Sequence, residues 1–256
     1  MKQDERQRLI EGIRNAFPDK LVPEELIFRH IHPGARIFIG TGCGEPQCLV
    51  RSLLQYVQAH PKAFFDAEIL QVWNLGVTPY ADEKFKDVFR YNAFFIGQNA
   101  REAVNRGQAD YTPIFLSSVP DLFRTRRIPV DVALIQTSLP DAHGYVSLGI
   151  SVDIVRAAME NASLVIAQLN SAMPRVHGET FVHLRDLDFI VPCDEPLLEF
   201  ESRISDRIAE RIGRHVARII RDGDTIQVGY GSIPNAILSH LGHKKSLGVH
   251  TELLTD

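Results

Sequence analysis

The residues of this chain best suited to chemistry stand around a glycine turn near its end. Gly229-Tyr230-Gly231-Ser232-Ile233-Pro234 follows Asp224 to Val228, which alternates and then runs apolar as a strand does, and Pro234 to Leu241 reads as a helix started by proline. A strand, a tight turn and a helix N-terminus gather backbone N–H groups in one place. Such donors stabilise a developing oxyanion without reorganising, each worth roughly 10²- to 10³-fold in rate. A carboxylate follows in Gly248-Val249-His250-Thr251-Glu252, four residues before the last residue, Asp256.

The same layout occurs once before. Gly34-Ala35-Arg36-Ile37-Phe38-Ile39-Gly40-Thr41-Gly42-Cys43-Gly44-Glu45-Pro46 can be laid over Gly223 to Pro234 with a single-residue gap. Each copy is preceded by an amphipathic helical pattern and continues into apolar residues at helical spacing: Leu49, Leu53 and Leu54 in one, Ile237, Leu238 and Leu241 in the other. This reads as an internal duplication of an α/β unit with the second copy cut short. Chance likeness of two glycine turns is the alternative, since glycine and proline punctuate many strand-to-helix turns.

The elements that must hold these turns alternate along the chain. Helical spacing marks Glu5 to Phe17, Pro46 to Ala59, Ala100 to Arg106, Val119 to Arg126, Val152 to Glu160 and Arg203 to Arg221. In the last, Ile204, Ile208, Ile212, Val216 and Ile219 share a face, and Asp222-Gly223 ends it. Strand-like segments are Ile37 to Gly40, Ile69 to Asn74, Tyr91 to Ile96, Ala109 to Phe115, Val132 to Thr137, Leu164 to Leu169, Leu187 to Val191 and Thr225 to Gly229. The fold class expected is α/β: a mostly parallel sheet with helices on both faces, in which ligands sit beyond the carboxyl ends of the strands. Val191-Pro192-Cys193-Asp194-Glu195-Pro196 reads as a linker, with a first domain over 1–198 and the incomplete opening of a second, similar one over 199–256.

At 256 residues, 45% hydrophobic and 23% charged, the chain can bury a substantial core, and a net charge of −4 leaves no basic footprint for nucleic acid. No apolar run approaches the length of a membrane span, and the polar start lacks a secretory segment, so a cytoplasmic location is the expectation. Cys43, Cys48 and Cys193 form no CxxC pair and are an odd number, which reads as free thiols. His30 with His32, and His240 with His243, lack further ligands at metal-binding spacing, so no metal is expected.

Several segments together resemble the acetyl-CoA hydrolase/transferase family, the class I CoA-transferases that include acetate-using and 4-hydroxybutyrate CoA-transferases. The resemblance spans most of the chain. It rests on Gly40 to Pro46, on Pro140-Asp141-Ala142-His143-Gly144-Tyr145-Val146-Ser147-Leu148-Gly149, on Asn170-Ser171-Ala172-Met173-Pro174-Arg175-Val176-His177-Gly178, and on the two segments that end at Pro234 and Glu252. It implies two similar α/β halves with the active site between them, of which this chain holds the first half and the opening of the second. The missing half or a partner chain would complete the site, and a homo-oligomer is expected.

The resemblance also implies a chemistry. Coenzyme A is a substrate, and no cofactor stays bound. A glutamate carboxylate, here Glu252, attacks an acyl-CoA thioester, and a glutamyl-CoA thioester forms on the way to a small carboxylic acid acceptor. A carboxylate suits the role because it is ionised near neutral pH and needs no general base. By the same likeness Gly229, Tyr230, Gly231, Ser232 and Ile233 form a CoA-contacting loop, the amide of Tyr230 or Gly231 is an oxyanion donor, and Gly42, Met173 and Arg175 lie towards the acyl or carboxylate side of the cleft. Tyr230 is bulky for its place and is expected to shape the acyl pocket.

Four other readings stand beside this one. An acyl-CoA hydrolase would put water in the place of the acceptor acid. A non-catalytic acyl-CoA-binding domain would suit a chain that is complete at this length. A dinucleotide-binding turn fits poorly, because proline or glutamate-proline stands where its third glycine belongs, and Thr41 and Glu45 replace the glycines that a nucleophile elbow around Cys43 would need.

Overall fold

The computed structural model describes residues 3–61, 65–76, 79–200 and 206–253, which form two compact units, Met1–Glu199 and Phe200–Asp256. In the first unit, short apolar segments pair into one sheet. Its strands are β1 (Arg36–Ile39), β2 (Ala67–Gln71), β3 (Phe89–Ala93), β4 (Ala109–Tyr111), β5 (Val130–Thr137), β7 (Ala162–Leu169) and β9 (Phe189–Pro192), in the order β4-β3-β2-β1-β5-β7-β9. All six pairings are parallel. A separate antiparallel pair, β6 (Tyr145–Ser147) with β8 (Phe181–His183), has no counterpart in the sequence pattern.

The sheet is buried on both faces, which explains its unbroken apolar runs. Phe38, Leu70, Ala133, Ile135 and Ala167 point into one core with Phe123, Val155 and Ala158, whereas Ile37, Ile39, Ile69, Leu134 and Ile166 point into the other with Phe28, Leu49 and Leu53. The first core packs under α1 (Gln3–Ala16), α5 (Val119–Arg124) and α6 (Val155–Asn161), and the second under α2 (Glu24–Phe28) and α3 (Gln47–Ala59), with Ala100 of α4 (Gln98–Asn105). α6 begins three residues later than its apolar spacing suggests. Asp153 is engaged by the hydroxyl of Thr41 and by the N–H groups of Ile154 and Val155, so 151–153 is drawn off as a loop.

Strand order reverses between β1 and β5, the switch point where α/β sheets open a crevice at their carboxyl ends. The first glycine turn leaves β1 there, with the N–H of Gly40 donating to Leu134 O at 2.9 Å.

Two expectations are corrected in this unit. Cys48 and Cys193 are not both thiols: they form a disulfide with their Cα atoms 6.6 Å apart. They are 145 residues apart in sequence, a spacing that could not reveal that the start of α3 lies over the exit from β9. The segment read as a linker is also fastened down. Glu195 accepts the N–H of Cys48 at 2.8 Å and an amide hydrogen of Gln168 at 2.7 Å, and its other oxygen pairs with Arg51, while Asp194 pairs with Arg6.

The second unit holds α7 (Arg207–Ala217), β10 (Thr225–Ile226), α8 (Ser232–Ser239) and β11 (Gly248–Val249), with β10 and β11 parallel. It repeats the strand, turn, helix and adjacent parallel strand of β1, α3 and β2. Asp206 caps α7 by accepting the N–H groups of Ile208 and Ala209 at 2.9 and 2.7 Å; residues 203–205, read as its first turn, lie outside the described residues. α7 packs only in part through the isoleucine face read from its spacing: Ile212 and Val216 are half-buried, and Ile204 lies outside the described residues. Its buried stripe is Ala209, Gly213 and Ala217, and Ile208 and Ile219 remain exposed. At Gly213 a β-carbon would stand 2.4 Å from Ala236 O of α8, so the two helices meet backbone to backbone.

Candidate active site

In the second unit, β10 and β11 bring the late motifs together. His250 N–H donates to Ile226 O at 2.9 Å, and Val228 N–H donates to the Thr251 hydroxyl at 3.3 Å, which in turn donates to Val228 O at 2.6 Å. Thr251 also reaches Leu253 O at 3.0 Å. The segment that carries Glu252 is therefore bound to the residue that opens the glycine turn. Glu252 is exposed there.

The turn itself demands glycine at one point. Gly231 caps α8 at φ 135° and ψ −178°, a conformation that side-chain-bearing residues rarely adopt. α8 begins at Ser232, two residues before the proline expected to start it. Gly229 and Ile233 are exposed, Ser232 is half-buried, and Tyr230 is 54% exposed with its ring 5.2 Å from that of Phe200. A glycine turn at a helix N-terminus, tied through Val228 to the segment that carries an exposed carboxylate, is a geometry suited to acyl transfer at a carbonyl carbon.

In the first unit the three weaker candidates separate. Gly42, at φ 57°, donates its N–H to Trp73 O at 2.8 Å, and a β-carbon there would meet Ser151 Oγ at 3.2 Å and the Trp73 ring at 3.5 Å. Met173 is buried, its sulfur filling the space over Gly149. The loop 149–153 links these two, since Ser151 Oγ also accepts the Gly44 N–H at 3.2 Å. Arg175 is engaged elsewhere. It donates to Asp141 at 2.8 Å and to Tyr145 O at 2.7 Å, and lies over the Phe181 ring at 4.6 Å. Asp141 is held below its usual range by the N–H groups of Tyr145 and His143 and by Arg175.

In the sequence Glu45 stands out only as part of a turn. It is 1% exposed, both its oxygens lie 3.2 Å from Asn74 Nδ2, and the N–H of Gly76 donates to it at 3.1 Å. Burial outweighs these bonds and pushes its carboxyl up to about 7. Around it runs a ladder of amides at the carboxyl ends of the strands. Gln71 donates to Gly40 O at 3.2 Å, Gln136 to Glu45 O at 3.1 Å, and Asn170 to Gln136 Oε1 at 2.7 Å. The signal in the sequence is the recurrence of Gln71, Gln136 and Gln168 at the ends of apolar strands, where a buried amide needs partners. Among the described residues no group of three or more His, Cys, Asp or Glu could hold a metal ion, and no helix is long and apolar enough to cross a membrane.

Comparison with known proteins gives this geometry a family. The sequence matches the acetyl-CoA hydrolase/transferase N-terminal domain over residues 1–200. It is 42% identical over 240 residues to a 4-hydroxybutyrate coenzyme A transferase of Clostridium kluyveri, covering 94% of this chain and 55% of that protein. It is 39% identical over 230 residues to a succinyl-CoA:acetate/propanoyl-CoA:succinate CoA transferase of Fasciola hepatica, covering 90% and 47%. Among solved structures, RipA from Yersinia pestis superposes with a TM-score of 0.87 at 26% identity over 94% of this chain and 58% of that one. A 4-hydroxybutyrate CoA-transferase from Porphyromonas gingivalis does so at 0.79 and 28%, over 95% and 57%. The chain spans about half the length of these relatives. It belongs to the acetyl-CoA hydrolase/transferase family, whose N-terminal domain it carries in residues 1–200.

Proposed function

We propose that this chain supplies part of the site of a CoA-transferase, which moves coenzyme A from an acyl-CoA to a small carboxylic acid through a thioester on Glu252. The observation that supports this most is the double hydrogen bond between Thr251 and Val228, which joins the Glu252 segment to the Gly229-Tyr230-Gly231 turn. Glu252 attacks the thioester carbonyl carbon, the oxyanion is met by the amide of Tyr230 or Gly231, and CoA thiolate leaves from an acyl-glutamyl anhydride. The thiolate then attacks the glutamyl carbonyl, which releases the first carboxylate and leaves glutamyl-CoA. An acceptor carboxylate reverses both steps and restores Glu252 as a free carboxylate, so no proton needs to be moved by a general base.

Gly229, Ser232 and Ile233 are proposed to contact CoA, and Gly42 to face the acyl group, with Met173 supporting it through the 149–153 loop. Arg175 keeps its place in this reading as a brace for the 141–149 segment at the edge of the cleft. The rest of the second half, or a partner chain, completes the site, and the setting is the cytoplasm. Self-association belongs to the same reading, because Phe95, Tyr111 and Phe115 are 50%, 45% and 82% exposed at and beyond the ends of β3 and β4. A monodisperse monomer of the complete protein in light scattering would contradict that part.

The test is turnover of acetyl-CoA and butyryl-CoA by the complete protein with and without added carboxylate. Transfer predicts turnover that depends on the acid and disappears in Glu252→Gln. Equal turnover without acid would establish hydrolysis instead. Measurable CoA binding with no turnover under either condition would make this an acyl-CoA-binding domain.

A further inference from the structure

We infer that Glu45 is a positioning residue for the acyl side of the site: its buried side chain clamps the 73–76 segment to the Gly42–Gly44 turn, and so holds Trp73 beside Gly42. The acyl-site part of this inference rests on the function proposed above; the clamp does not.

The geometry is specific. Glu45 follows the turn directly, and its carboxyl reaches across to Asn74 and Gly76 beyond the end of β2. Between those anchors and the turn stands Trp73, whose backbone oxygen takes the Gly42 N–H. Its ring lies between two glycines: a β-carbon at Gly42 would stand 3.5 Å from it, and one at Gly97 would stand 3.4 Å from it. The backbone joined at 2.8 Å on one side and Asn74 held next door fix the stretch of chain that carries the ring.

Among the described residues, the groups that hydrogen-bond the carboxyl are neutral. α3 contributes the Gln47 amide, β2 contributes Gln71, the following loop contributes Asn74 and Gly76, and β5 contributes Gln136 to the backbone oxygen of Glu45. The titratable groups that face it are Tyr80 and Tyr91, both pushed upwards by burial and by Glu45 itself, and they stay protonated. Asp153 lies on the far side of the turn, against Thr41. Among the described residues no ion pair reaches Glu45, so an ionised carboxylate there has no countercharge.

Ionisation also reverses a hydrogen bond. Asn74 Oδ1 is buried without a partner while Nδ2 faces Glu45. A protonated Glu45 can donate to the amide oxygen once the Asn74 amide is turned over, whereas the carboxylate can only accept from Nδ2. Losing the proton to solvent therefore leaves Asn74 only the orientation in which Nδ2 also reaches Gln71 Oε1 and the Tyr80 hydroxyl, at 3.4 and 3.3 Å, and so changes the bonding of the segment next to Trp73.

Trp73 is the only tryptophan in the 256-residue chain, so its fluorescence reads the clamp without any substrate. A titration of this chain from pH 5.5 to 8.5 is expected to show one emission transition near pH 7, absent in Glu45→Gln, with circular dichroism unchanged in both. A transition that survives in Glu45→Gln, or no transition in the unaltered chain, would overturn the clamp. In the complete protein the ratio of kcat/KM for butyryl-CoA over acetyl-CoA should shift roughly threefold or more between pH 6 and 8, through KM, and become independent of pH in Glu45→Gln. A constant ratio alongside a titrating tryptophan would overturn the acyl-site role. Complete absence of turnover with any acid, alongside a titrating tryptophan, would overturn the functional reading while supporting the clamp.

Discussion

Thr251 and Val228 hold each other by side chain and backbone: the hydroxyl accepts the Val228 N–H at 3.3 Å and donates to its carbonyl at 2.6 Å. A hydroxyl just beyond β11 thus pairs both backbone groups of Val228 where the chain leaves β10 for the glycine turn. Valine has the shape of threonine without the hydroxyl and would leave both groups unpaired. Thr251→Val is expected to slow formation of a Glu252 thioester roughly 10- to 100-fold, with Thr251→Ser recovering most of the loss. Single-turnover kinetics with acetyl-CoA would measure it, and an unchanged rate in Thr251→Val would deny this contact a part in the chemistry.

Gly231 is the next test, because its φ of 135° excludes side chains on conformational grounds. Gly231→Ala must shift the turn and with it any N–H aimed at an oxyanion. The expected result is a fall in kcat of roughly 10²-fold or more with a smaller change in KM. A comparable loss in KM alone would assign the turn to CoA binding.

Glu45 makes the stability of the first unit fall with rising pH. Its carboxyl is near 4.5 unfolded and is raised to about 7 by burial when folded, so between those values the folded chain binds the extra proton. The group's favourable contribution is complete below pH 4.5, and by pH 7 and above about 3 kcal/mol of it is lost. Glu45→Gln should therefore be nearly neutral in thermal unfolding at pH 5 and stabilising at pH 8. A stability difference that does not change with pH would refute the shift.

The Cys48–Cys193 bond joins the start of α3 to the exit of β9 across 145 residues. Protein purified in air and alkylated without reductant should carry one label, on Cys43, and three after reduction. Reduction should lower the stability of the first unit by roughly 2–4 kcal/mol, read from denaturant midpoints. Three labels without reductant would show that the two sulfurs stay apart in solution.

Much of the sheet is legible in the sequence because its evidence is local. Val132 to Thr137 and Leu164 to Leu169 are apolar runs of strand length, and they lie within β5 and β7. The glycine turns are legible for the same reason. What the sequence hides depends on neighbours brought from elsewhere. The isoleucine stripe of α7 looks like a packing face, yet the buried stripe is Ala209, Gly213 and Ala217, where small residues allow close approach to α8. Glu45 reads as an ordinary charge between glycine and proline, and only β2, its following loop and the 79–81 turn make it a buried acid. The disulfide and the tie between Thr251 and Val228 are likewise properties of assembled strands.

Covalent attachment of CoA to Glu252 is the step on which the proposed function turns, and mass mapping of peptides after incubation with acetyl-CoA or butyryl-CoA tests it most directly. The expected result is a CoA thioester on the Glu252 peptide of the complete protein, absent from Glu252→Gln. An unmodified Glu252 peptide in protein that turns over acyl-CoA would contradict it.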